Sequence, residues 1–200
     1  MMAPAEAAGF ALAVVMVWCS IRELHWSWPL AIASSALYFF VFRDSQLYGE
    51  ASLQVVFALL ALWGWWQWLR PVAVSPSSEV PPAAASPAPT SALPIRTLSR
   101  RARWQCLFIS LLLWPMLALF LMHFTDTDVP WWDGLVTALS LVGQYLLGRK
   151  YLENWLVWLL VNTLSMGLFA YKDLWLTVVL YAIFTAMSVI GWRTWHKQIQ

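Results

Sequence analysis

The chain of 200 residues is 61% hydrophobic and only 11% charged, and it holds sixteen tryptophans. A soluble domain carries about a quarter charged residues, so composition excludes a soluble enzyme, and a net charge of +2 offers nothing to a nucleic acid. Indoles at this density gather at membrane interfaces or around flat ligands.

A helix that crosses the hydrocarbon core needs about 20 mostly apolar residues. Seven segments meet or approach that length: Pro4–Ile21, Trp28–Phe42, Leu47–Leu69, Trp104–Phe124, Trp131–Gly148, Asn154–Tyr171 and Leu174–Trp195. The stretch before the first apolar run contains Glu6 and no basic residue, which predicts a retained helix and not a cleaved signal peptide. Pro29 at the start of the second segment suits a first helical turn, where its missing N–H is not needed. After the third, Pro71–Ile95 is dense in Pro, Ala and Ser. Such a stretch buries too little apolar surface to offset its ordering entropy and predicts a flexible cytoplasmic linker. The expected organisation is a first three-helix unit at residues 1–70, the linker at 71–95, a fourth helix and outer loop at 96–130, and a second three-helix unit with a short tail at 131–200.

The basic residues orient this arrangement. With seven spans, one side receives Arg22, Arg70, Arg96, Arg100, Arg101, Arg103, Arg149, Lys150, Arg193 and Lys197, and the other only Arg43 and Lys172. Lys and Arg excess marks the cytoplasmic side. The N-terminus is therefore expected outside and the C-terminus in the cytoplasm.

Sliding the sequence against itself by 127 residues, without gaps, aligns Glu6 with Asp133, Arg22 with Arg149, Trp28 with Trp155 and Phe57 with Phe184. The run Gly64-Trp65-x-x-Trp68-x-Arg70 falls on Gly191-Trp192-x-x-Trp195-x-Lys197. Leucine matches could arise by chance in such a chain; glycine, tryptophan and charge at one constant offset could not. The offset spans four crossings, so the two copies share one orientation, the parallel class of transporter repeat. The architecture is three plus one plus three, the extra helix restoring the second copy's direction.

In the sixth segment Trp155, Trp158, Asn162 and Ser165 fall on one helical stripe. Two readings compete: interface anchor and interhelical hydrogen bond, or a ligand wall with stacking faces above an amide. The second is preferred, since Asn162 sits near mid-span. The equivalent stripe on the second segment, Trp28, Ala31, Ser35 and Tyr38, is smaller in its middle. A buried amide needs a partner, so Gln54 and Gln144 join the candidates, as does Tyr181, which occupies the place of Gln54 in the second copy.

No acid, lysine or arginine falls at mid-span, where coupled transporters generally hold an ionisable group. That favours facilitated diffusion. His25, His123 and His196 share no cluster, Cys19 and Cys106 lack metal-ligand spacing, and no phosphate-binding glycine motif occurs. Neither a catalytic dyad nor a metal or cofactor is expected, and a structural membrane subunit is the alternative from another class.

The segment from Arg149 through Tyr151, Glu153, Asn154, Trp155 and Trp158 to Asn162 resembles the PnuC family of bacterial vitamin transporters. Leu47-Tyr48, Gln54, Gly64-Trp65-x-x-Trp68 and Trp131-Trp132-Asp133 resemble it too. The resemblance implies an all-α membrane protein with a seven-helix fold similar to full-length SWEET transporters, in the bacterial inner membrane. It implies passage of nicotinamide riboside by facilitated diffusion, with a separate cytoplasmic kinase trapping the vitamin; sister groups carry thiamine or riboflavin. By position, Trp155, Trp158, Asn162 and Gln54 match the family's substrate-facing pattern. A flat pyridinium cation with a hydroxylated sugar suits indole faces and amides, but thiamine is a flat cation as well. Riboflavin, larger and neutral, fits a three-helix interface less comfortably. A homo-oligomer is compatible with all of these.

Overall fold

The computed structural model describes residues 4–44, 48–70, 93–173 and 175–199. Within them the chain forms seven helices: α1 (Pro4–Ile21), α2 (Ser27–Asp44), α3 (Tyr48–Leu69), α4 (Arg100–Phe124), α5 (Pro130–Gly148), α6 (Asn154–Tyr171) and α7 (Trp175–Ile199). Ala51–Leu69, α4, α6 and α7 are long and apolar enough to cross a membrane, and Ala11–Ile21 and Ser27–Phe40 are shorter apolar helices.

Each helix coincides with a segment expected from hydropathy, but several ends move outward. The fourth begins at Arg100 and not Trp104, because Ser99 caps it, its Oγ accepting from the Ala102 N–H at 3.2 Å. The fifth starts on Pro130, which tolerates the first helical turn. The second extends beyond Trp28–Phe42 at both ends, and the seventh continues past Trp195 to Ile199 as a polar last turn. Most of the expected linker, residues 71–92, lies outside the described residues. Its end does not behave as a free tether: Leu93 and Ile95 pack against the main buried cluster.

Six helices close a ring. α1 touches α2 and α7, α2 packs on α3, α3 on α5, α5 on α6 and α6 on α7. α4 lies outside the ring, packed chiefly on α5. Ser110, Leu117, Ala118 and Leu121 form its buried face, and a Cβ on Gly134 of α5 would meet the Ala118 backbone at 2.7 Å. The opposite face, with Phe108, Leu111, Leu112 and Leu119, is exposed and apolar, as lipid contact requires.

Residues 127 apart share local geometry. Trp28 is buried over Gly64 and meets Trp68 edge-on at 5.4 Å; Trp155 is buried over Gly191 and meets Trp195 edge-on at 5.4 Å. The two α-helical exits match as well. After α1, the Leu24 N–H reaches Cys19 O and the Glu23 N–H reaches Ser20 O; after α5, Tyr151 N–H reaches Leu146 O and Lys150 N–H reaches Leu147 O. This double bond pattern is the Schellman motif, whose C′ residue takes the left-handed conformation and is usually glycine. Here it is Glu23 (φ 55°) and Lys150 (φ 53°). An L side chain so placed costs about 1–2 kcal/mol.

At the far end of the ring, the Lys172 ammonium donates to the Asp128 carboxylate at 3.1 Å and holds that carboxyl below its usual range. The pair ties the α4–α5 loop to the end of α6. Thr127 hydrogen-bonds Asp133 in the same region.

Candidate substrate-binding site

A cavity of about 200 Å³ opens inside the ring. Its wall comes from α1 (Met16, Val17, Ser20), α2 (Ser27, Trp28, Ala31), α5 (Val136, Ser140, Gln144, Leu147), α6 (Trp155, Trp158, Val161, Asn162, Ser165) and α7 (Tyr181, Phe184, Ser188). The second half of the chain supplies most of it, and no described side chain of α3 lines it.

Of the residues singled out from sequence, Trp155, Trp158, Asn162, Gln144 and Tyr181 line this cavity together. Gln54, Ser35 and Tyr38 do not. Gln54 sits on α3, outside the wall altogether. Ser35 and Tyr38 belong to the stripe that begins with Trp28 and Ala31, but lie one and two turns farther along α2, beyond the part that reaches the cavity. The wall is therefore asymmetric: Asn162 faces the cavity, whereas Ser35, 127 residues earlier, is buried elsewhere.

The two tryptophans of α6 differ. Trp155 is only 2% exposed, held between the Gly191 backbone and the Trp195 ring, and borders the cavity with little free surface. Among the described residues its Nε1 and that of Trp28 are buried without a hydrogen-bond partner, as is Ser27 Oγ. Trp158 is half-buried and abuts Gly143 of α5, where an added Cβ would lie 3.2 Å from its ring. Trp158 is thus the indole with a face to offer, and Trp155 the one that fixes the wall.

Asn162 is oriented by a short relay. Its Nδ2 donates to Ser188 Oγ at 3.2 Å, and the Ser188 hydroxyl donates to Phe184 O at 2.9 Å. A carbonyl can only accept, so the serine proton is committed to Phe184 and its oxygen must receive the amide N–H. Asn162 keeps its carbonyl oxygen and one N–H for other partners. In Ser188→Ala the amide loses this tether, and ligand affinity measured by titration should fall by about three- to tenfold, the worth of one neutral hydrogen bond.

Ser188, Ser140, Ser20 and Ser27 had no signal in the sequence, since isolated serines in apolar helices are common. Ser188 could have been noticed as the hydroxyl that replaces Ala61 at the equivalent place, beside an asparagine that replaces Ser35. Among the described residues, no Asp, Glu, Lys or Arg lines the cavity, and no cluster of three metal-ligating side chains occurs. Indole faces, amides and hydroxyls around such a hollow are the chemistry that can bind and orient a flat polar solute.

A helical ring of this kind around a solute-sized hollow is the build of a small-molecule membrane transporter. The chain belongs to the nicotinamide mononucleotide transporter family, whose sequence profile matches residues 3–197. It is accordingly an all-α, multi-pass membrane transporter and not an enzyme. It is 24% identical over 200 residues to the nicotinamide riboside transporter PnuC of Escherichia coli (strain K12), covering 95% of this chain and 84% of that protein. It is 26% identical over 190 residues to the riboflavin/roseoflavin transporter RibM of Streptomyces davaonensis, covering 95% and 83%. Among solved structures, the crystal structure of the vitamin B3 transporter PnuC superposes with a TM-score of 0.70 at 22% identity, over 95% of this chain and 79% of that one, which shows the shared fold.

Proposed function

We propose that the chain carries nicotinamide riboside across the inner membrane by facilitated diffusion, through seven spans arranged as two parallel three-helix units and a connecting helix. The observation that carries this reading is the neutral cavity that brings the Trp158 face, the Asn162 and Gln144 amides and several serine hydroxyls to one place. An indole face stabilises a desolvated pyridinium by roughly 2 kcal/mol, and the amides and hydroxyls match a ribose and a carboxamide. Among the described residues the wall offers no carboxylate or ammonium to hold a coupling proton, which supports uncoupled passage. Inward flux then needs a separate kinase that phosphorylates the vitamin in the cytoplasm. The charge bias supports a C-terminus on the cytoplasmic side, and the matched geometry of Trp28/Trp68 and Trp155/Trp195 supports the repeat.

Riboflavin is the second reading, favoured by the likeness to RibM; thiamine shares the flat cationic character. Calorimetric titration of the purified protein with the three vitamins separates them. Nicotinamide riboside should bind at least tenfold more tightly than the others, and tighter binding of riboflavin or thiamine would reassign the substrate. In vesicles without kinase, uptake should stop when the two concentrations are equal, whatever ion gradient is imposed. Accumulation beyond that point would rule out facilitated diffusion.

A further inference from the structure

One end of the ring is shut by groups the cavity does not use. Lys150 Nζ donates to Glu23 Oε2 at 2.7 Å, and the two residues stand 127 positions apart, so the same place in the two halves meets itself with opposite charge. The lysine side chain is 4% exposed and the glutamate 23%, and the ammonium also lies 4.7 Å from the centre of the Trp68 ring. Below the pair, two indole donors cross between halves. Trp68 Nε1 donates to Leu147 O at the end of α5, and Trp195 Nε1 donates to Ile21 O at the end of α1. Both charged residues hold the left-handed conformation that glycine would occupy without strain. A strained position that keeps a charged side chain points to a use for that side chain.

We infer that Glu23 and Lys150 form a latch that closes this end of the ring, and that its breaking lets the α1–α2 and α5–α6 loops separate during transport. A half-buried ion pair suits that task, because the desolvation of its charges nearly cancels their attraction. The closed arrangement is then favoured over the open one by little, as a two-state element requires. The two sides of the latch are not equally free. Arg96 exchanges backbone hydrogen bonds with the α5–α6 loop, N–H to Lys150 O and carbonyl to the Leu152 N–H, while the Leu98 N–H and Arg103 are both bound by the Glu153 carboxylate. This strap fixes the lysine side. The α1–α2 loop has no such strap among the described residues, so it is the side that moves.

The latch rests on the transport reading of the ring but not on the identity of the solute, and its test needs no ligand. Spin labels at Arg22→Cys and Arg149→Cys, the exposed neighbours of the pair, report the separation of the two loops in the full chain. The parent should give one dominant short distance. Glu23→Gln and Lys150→Gly, the latter free of backbone strain, should each raise a longer-distance population by about fivefold or more. The exchange Glu23→Lys with Lys150→Glu should restore the parental distribution, because the relocated lysine would then find Trp195 where Lys150 finds Trp68. Unchanged distances in the single variants, or failure of the exchange to restore them, would overturn the latch. If the single variants do not fold, recovery of a folded protein with the parental distance in the exchange supports it, and no recovery overturns it. Loss of nicotinamide riboside binding in the parent would sink the substrate assignment alone.

Discussion

Alanine at Gly191 should unsettle both the packing and the cavity wall. In an ordinary helix this change gains about 1 kcal/mol, because glycine is the poorer helix former. Here the added Cβ would lie 2.5–2.6 Å from three atoms of the Trp155 ring. That ring cannot swing aside, since Trp195 stands against it edge-on with its indole N–H committed to Ile21 O. Overpacking of this kind costs about 1–3 kcal/mol, which exceeds the helix-propensity gain over most of that range. The expected result is a lower thermal midpoint in detergent, together with weakened ligand binding as Trp155 shifts the α6 wall. Gly64→Ala should lower stability in the same way, through the Trp28 ring, but with a smaller effect on binding, because the first half supplies less of the wall. A Gly191→Ala protein as stable as the parent, with unchanged affinity, would contradict this account of Trp155.

The second large effect is expected at Trp158. It lines the cavity, it is half-buried, and Gly143 leaves the room in which its ring lies. Removing an indole face from a desolvated cation forfeits roughly 2 kcal/mol, about 30-fold in affinity, with the lost apolar contact in addition. Trp158→Ala should therefore bind nicotinamide riboside about 30-fold or more weakly, yet insert and elute as a folded protein. Trp158→Phe should recover part of the loss. Titration of the three proteins with the same ligand decides it, and parental affinity in the alanine variant would remove Trp158 from the site.

Hydropathy was enough to locate all seven helices, because each contains an apolar core that no loop of this chain imitates. The ends were less legible. Ser99 and Pro130 begin helices by local hydrogen-bonding rules that an apolar window does not weigh. The 127-residue offset aligns Trp28 with Trp155 and Gly64 with Gly191, but that each indole packs over the glycine of its own half is visible only in the structure. What it could not tell is how far the cavity extends along each half. A helical stripe says which residues share a face, and Trp155, Trp158 and Asn162 border one cavity. It does not say at which depth the face stops bordering open space, and so Ser35 and Tyr38 share a stripe with Trp28 without lining the cavity. The cost of burying an amide singles out Gln54, but that cost does not distinguish a cavity from a contact between helices. Composition reads Pro71–Ile95 as a tether, and it does not reveal that Leu93 and Ile95 at its end pack against the main buried cluster.

The contact between α1 and α7 joins the earliest and the latest helices of the chain. A ribosome delivers the first long before the last, so during synthesis the flank of α1 that will face α7 spends most of the translation time without its neighbour. Trp195 supplies the N–H that Ile21 O awaits only after the six preceding helices have been made. The nascent protein should remain an open crescent until its final helix enters the bilayer, and truncations that lack α7 should be cleared by quality-control proteases, not retained as a partly working carrier.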